Sequence, residues 1–130
     1  MLECATVDQC IERFAREAGL VAVWMFGSAV SGRLREDSDV DFALYYKPGM
    51  EPDWSALGAL ALDLEAILGR RADLGCLNSR NLVYAMQAFQ TGRLVYAADE
   101  PAALALTSRL QSLYLELRQD RKVVEEAYCA

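Results

Sequence analysis

Seven consecutive apolar residues, Leu20 to Phe26 (LVAVWMF), are rich in β-branched and aromatic side chains and have the length of a buried strand. Ahead of them Val7, Ile11, Phe14 and Ala18 recur on one helical face, Thr6 and Gln9 form a capping-box pattern, and Gly19 supplies a stop. A helix is therefore predicted from about Thr6 to Ala18. After the apolar run the period changes: from Ser38 to Tyr45, alternation puts Asp39 and Asp41 on one face of a second strand and Val40 and Phe42 on the other.

Beyond a turn at Lys47 to Pro52, Asp53 can cap a helix carrying Leu57, Leu60, Ala61, Leu64 and Leu68, with Gly69 closing it. Ala72 to Leu77 reads as a short strand, Ser79 as the cap of a helix to about Gln90, and Arg93 to Ala97 as a short strand or extended segment. From Pro101 to about Tyr128, Leu104, Leu110, Leu113, Leu117 and Val124 repeat at roughly helical spacing. Leu106, Tyr114, Leu115 and Val123 widen that stripe beyond what one core contact needs. Packing on its own sheet accounts for such a helix, and so does an added contact with a partner or a second copy.

The order of elements predicts one α/β (α+β) domain with a mixed, mostly antiparallel sheet and helices packed on it. Its core spans about 7–97, followed by a helical segment at about 101–128. With 130 residues and 54% hydrophobic content, one real core fits and an accessory domain does not. The 13 basic and 19 acidic residues leave a formal charge of −6, without a long Lys/Arg cluster, which disfavours extended contact with a nucleic acid backbone. Cys4, Cys10, Cys76 and Cys129 lack CxxC spacing and the chain has no His, so reduced thiols are expected rather than a zinc site. Neither a signal peptide nor a membrane span is evident, and a cytoplasmic location is expected.

Candidate chemistry lies where the two long strands meet. Gly27 and Ser28 directly follow the first strand, and ten residues separate Ser28 from Asp39, Val40 and Asp41. At average composition those four fixed residues would fall into this pattern by chance in such a chain on the order of once in several hundred. Glycine at the strand exit tolerates positive φ and close approach of a ligand, and Ser28 adds a hydroxyl beside the amides of a short helical turn ending at Gly32. A Gly-Ser pair alone is usually only a turn. Two aspartates on one strand face, however, repel each other, and the combination calls for a compensating cation next to a phosphate.

This pattern, with Gly32 and Ser38 in agreement, resembles the minimal nucleotidyltransferases of the DNA polymerase β superfamily, whose hallmark is GS, ten residues, then DxD. The resemblance implies a nucleotidyltransferase fold and a third carboxylate from a later strand, for which Asp73 in RRADLGCLN is the candidate; a strand-end residue is the alternative. It further implies two Mg²⁺ ions, or Mn²⁺, bridged by Asp39 and Asp41. Asp73 would serve the catalytic ion and be the candidate acceptor of the hydroxyl proton, and Gly27, Ser28 and Ser38 would lie on the nucleotide. Arg70 and Arg71 could contact phosphate or simply complement a helix end.

Within the superfamily a stand-alone domain of this size is similar to the MntA-type antitoxins of HEPN/MNT toxin–antitoxin pairs. That similarity implies transfer of AMP from ATP to a tyrosine of a HEPN ribonuclease toxin. Two other functions are compatible with the same residues: sequestration of the toxin without catalysis, and modification of a small molecule such as an aminoglycoside.

Overall fold

The computed structural model describes residues 2–31 and 38–129, those at Ser28, Ser31 and 123–129 by backbone alone. The expected turn end at Gly32 lies outside these residues. Among the described residues the elements follow in the order α1 (Cys4–Ala15), β1 (Leu20–Phe26), α2 (Ser28–Ser31), β2 (Val40–Tyr46), α3 (Trp54–Leu68), β3 (Ala72–Cys76), α4 (Leu82–Thr91), β4 (Arg93–Ala97) and α5 (Glu100–Cys129).

The strands form one sheet in the order β3-β2-β1-β4. β1 pairs antiparallel with both β2 and β4, whereas β2 and β3 run parallel. A parallel neighbour needs a crossover, and α3 provides it. β1 lies inside the sheet with helices over both faces, which explains why all seven of its residues are buried and why it carries no polar alternation.

Each face has its own core. Under α1 and α3, β2 contributes Val40, Phe42, Leu44 and Tyr46, joined by Val23 and Met25 of β1 and Phe14 of α1. Phe14 and Phe42 meet edge to face at 5.4 Å. On the opposite face Ala22, Trp24 and Phe26 of β1 and Ala43 of β2 pack with Ala85, Met86 and Ala88 of α4 and Ala103, Leu106 and Leu110 of α5. Helices thus cover both faces. Period 2 places Asp41 on the same face as Ala43 and Tyr45, the face covered by α4 and α5.

Local signals succeeded where a side chain could act alone. Asp53 caps α3 by accepting from the Ala56 amide at 2.8 Å, and Gly69 ends it in the left-handed region at φ 70°. Two caps differ from expectation. α1 begins at Cys4, with the amides of Thr6 and Val7 bonding to the Glu3 carbonyl, so no Thr6–Gln9 box forms. It ends at Ala15 because the chain must turn through Gly19 to enter β1. Likewise α4 starts at Leu82 rather than after Ser79, since Asn81 is tied to the preceding strand through its Nδ2, which donates to the Cys76 carbonyl at 2.8 Å.

Candidate active site at the open end of the sheet

Three strands deliver the predicted residues to one end of the sheet. β1 ends at Phe26, which pairs with Asp41 near the start of antiparallel β2. Parallel β3 starts beside it, with Asp41 directly opposite Asp73. The DxD aspartate and the later-strand candidate, 32 positions apart in the sequence, are thus neighbours across one ladder. Asp39 lies just before β2, exposed, and Val40 is anchored by its amide to the Arg71 carbonyl at 2.9 Å. The backbone of Arg71 therefore helps align β2 with β3.

Gly27 turns the chain out of β1 with φ 77°, and its carbonyl accepts from the Val30 amide at 3.1 Å in the first turn of α2. Any side chain at Gly27 would run into the Asp41 carboxylate, whose Cγ lies 3.4 Å from the place of a Cβ. Glycine is required there twice over, once for the left-handed backbone and once for room. Ser28 opens α2 immediately behind it, and Ser38 stands half-buried one residue ahead of Asp39.

Asp41 is pushed up to about 6 by burial first, then by the charges of Asp73 and Asp39 and by a hydrogen bond with the Asp73 carboxyl. Crowded carboxylates hold a proton where no cation balances them. Among the described residues no group of three or more His, Cys, Asp and Glu side chains is arranged to hold a metal ion. The donors that do converge are the paired carboxylates of Asp41 and Asp73. Such hard oxygens suit Mg²⁺, which takes one or two carboxylates together with substrate phosphates rather than a closed protein cage.

Sequence reasoning passed over Tyr84 of α4 and Gly75 of β3. Tyr84 donates its hydroxyl to the Phe42 carbonyl at 3.3 Å, and its ring occupies the space a side chain at Gly75 would need. The legible signal was Gly75 itself, since glycine inside a strand often marks close approach of another group. A groove of about 710 Å³ lies elsewhere, lined by Val83 of α4 and by Tyr114, Leu115 and Arg118 of α5, and it includes none of the site aspartates. The carboxylate pair, with Asp41 half-buried and Asp73 exposed, lies at the end of the sheet and not in that groove. Cys10 is an inert thiol, raised to about 11 by burial. No helix among the described residues is long and apolar enough to cross a membrane.

The sequence profile described as polymerase beta, nucleotidyltransferase matches residues 8–101. Comparison with curated proteins finds no match. Among solved structures, a chain in a crystal structure of a toxin–antitoxin with AMP-PNP aligns with a TM-score of 0.75 at 22% identity, covering 99% of this chain and 100% of that one. A chain in the complex of tri-AMPylated Shewanella oneidensis HEPN toxin with MNT antitoxin aligns at 0.72 and 21% identity, covering 97% and 98%. One from the toxin–antitoxin MntA-HepT aligns at 0.73 and 21%, covering 98% and 100%. These likenesses establish a shared fold over nearly the whole chain.

Proposed function

The chain belongs to the polymerase β nucleotidyltransferase family, and we propose that it is a metal-dependent adenylyltransferase antitoxin, moving AMP from ATP to a tyrosine of a cognate HEPN ribonuclease toxin. The observation that carries the proposal is the pairing of Asp41 with Asp73 across β2 and β3, with Gly27 against the Asp41 carboxylate. Support for the donor and the acceptor comes from the fold's likeness to a toxin–antitoxin structure holding AMP-PNP and to a complex with a tri-AMPylated toxin. The formal charge of −6 agrees with a protein acceptor better than with a nucleic acid template.

In this reading Gly27 and Ser28 hold the β and γ phosphates at the strand exit, with Ser38 on the nucleotide side of the same opening. Asp39 and Asp41 would hold both divalent ions, and Asp73 would hold the catalytic one. Mg²⁺ or Mn²⁺, when bound, supplies charge neutralisation at the attacking and leaving oxygens. Asp73 stands opposite Asp41, where it can take the proton of the tyrosine hydroxyl as that oxygen bonds to the α-phosphorus and pyrophosphate departs. Positioning supplies most of the remaining acceleration, because the reacting groups need only be held in line. An acceptor-binding domain is unnecessary if the partner presents the tyrosine.

Mass spectrometry of the purified toxin after incubation with this chain, ATP and Mg²⁺ tests the proposal. One or more AMP increments are expected, and none with Asp39→Ala. Neutralisation of the toxin by the Asp39→Ala protein without any increment would overturn the enzymatic reading.

A further inference from the structure

We propose that Tyr84, a residue of α4 outside the carboxylate set, is the positioning residue that fixes the spacing between Asp41 and Asp73; this rests on the nucleotidyl-transfer reading of the site. Three contacts converge on its side chain, each one or two residues from a site residue. The hydroxyl donates to the carbonyl of Phe42, next after Asp41, at 3.3 Å. The ring stands edge-on to Phe26, the residue before Gly27, with centroids 5.5 Å apart and planes at 80°. It also covers Gly75, two residues beyond Asp73, where a Cβ would lie 2.6 Å from the Tyr84 Cζ and would meet the hydroxyl oxygen as well. One helical side chain therefore touches all three strands at the end where the site residues gather.

The arrangement is specific to a tyrosine. A leucine would fill part of the apolar space against Phe26 but would leave the Phe42 carbonyl without this donor, and a residue larger than glycine at position 75 would push the ring away. Burial first, then the charges of Asp73 and Asp41, raise the Tyr84 hydroxyl above its ordinary range, so it remains a donor at neutral pH and is no candidate base. Its contribution passes through the backbone of β2 and β3 to the carboxylates. Small displacements matter at such a site because catalytic and metal-binding geometry tolerates little slack.

The test is calorimetric titration of Mn²⁺ into the protein saturated with AMP-PNP, well below the unfolding temperature, beside thermal melts without metal. Tyr84→Phe keeps the ring and should weaken Mn²⁺ binding about threefold to tenfold, the scale of one hydrogen bond. Tyr84→Leu should weaken it further, about tenfold or more, with AMP-PNP binding in the absence of metal unchanged. Gly75→Ala should weaken Mn²⁺ binding in the wild-type background and much less in the Tyr84→Leu background, a coupling that general loss of packing would not produce. Wild-type protein that takes up no Mn²⁺ would sink the site reading on which the proposal stands. Wild-type protein that binds Mn²⁺, with Tyr84→Phe and Tyr84→Leu binding it equally well, would overturn the role of Tyr84 alone, whatever their melting temperatures.

Discussion

The two faces of β2 perform different work although their residues alternate along one strand. Toward α1 and α3, Val40, Phe42, Leu44 and Tyr46 are all buried in a continuous apolar core. Toward α4 and α5, Ala43 is buried and Tyr45 packed, but Asp41 stands at the end that those helices leave open. A shift of one residue would exchange the two sets, moving Phe42 to the open end and Asp41 into the core. Strong apolar alternation on one face therefore fixes the register that presents the carboxylate on the other.

If the packed face supplies the stability, the largest fully buried side chain that β2 contributes to it should be the most costly to truncate. Phe42→Ala should destabilise the fold by about 3–5 kcal/mol, the range for removing a fully buried aromatic side chain that here also contacts Phe14. Urea denaturation measures it. Mn²⁺ binding by the folded fraction should stay close to wild type, and a loss of binding without loss of stability would break the division of labour between the faces.

Gly27→Ala should have a smaller effect on folding and a larger one on the site. The positive φ penalises any other residue by about 1–2 kcal/mol, and the added methyl must displace the Asp41 carboxylate. Binding of AMP-PNP with Mg²⁺, followed by calorimetry, should fall about tenfold or more, since this turn is the proposed phosphate grip and Asp41 moves with it. Unchanged binding would remove Gly27 from the site.

Much of the fold could be read from the sequence because its strongest signals are local. The unbroken run at 20–26, the Asp53 and Gly69 caps and the alternation around Asp41 each depend on neighbours within a few residues. The GS and DxD pattern was legible for the same reason. Asp73 was harder, since its place opposite Asp41 depends on the parallel crossover through α3, which no short pattern encodes. Tyr84 was invisible as a site-supporting residue: on α4 it is one more apolar position, and its meaning comes from contacts with three strands, two of which, β1 and β2, lie far away in sequence. The cap errors at Thr6 and Ser79 arose where backbone or neighbouring Asn bonds displaced a plausible side-chain cap.

The smallest effect separates the faces by their response to pH. Folding raises Asp41 from 3.8 to about 6, so between those values the folded chain keeps a proton that the unfolded chain has released. The stability this group contributes is complete below about pH 4 and is lost as pH rises through about 6. Two units unscreened would be worth about 3 kcal/mol, but Asp41 is only partly buried, and solvent screening reduces the expected effect to about 1 kcal/mol or less. Asp41→Asn removes the titration, so its stability relative to wild type should rise from pH 4 to pH 8 even though nucleotidyl transfer is lost. Phe42→Ala, on the face where burial raises the Cys10 thiol and the Tyr46 hydroxyl so that both stay protonated across this range, should carry the same deficit at both ends of it. Denaturation curves of the three proteins at several pH values give the comparison directly, and a flat difference between wild type and Asp41→Asn would mean that Asp41 is not held against its neighbours. Mg²⁺ with AMP-PNP should then stabilise wild type more at pH 8 than at pH 5, because a carboxylate must release its proton before it can serve the ion.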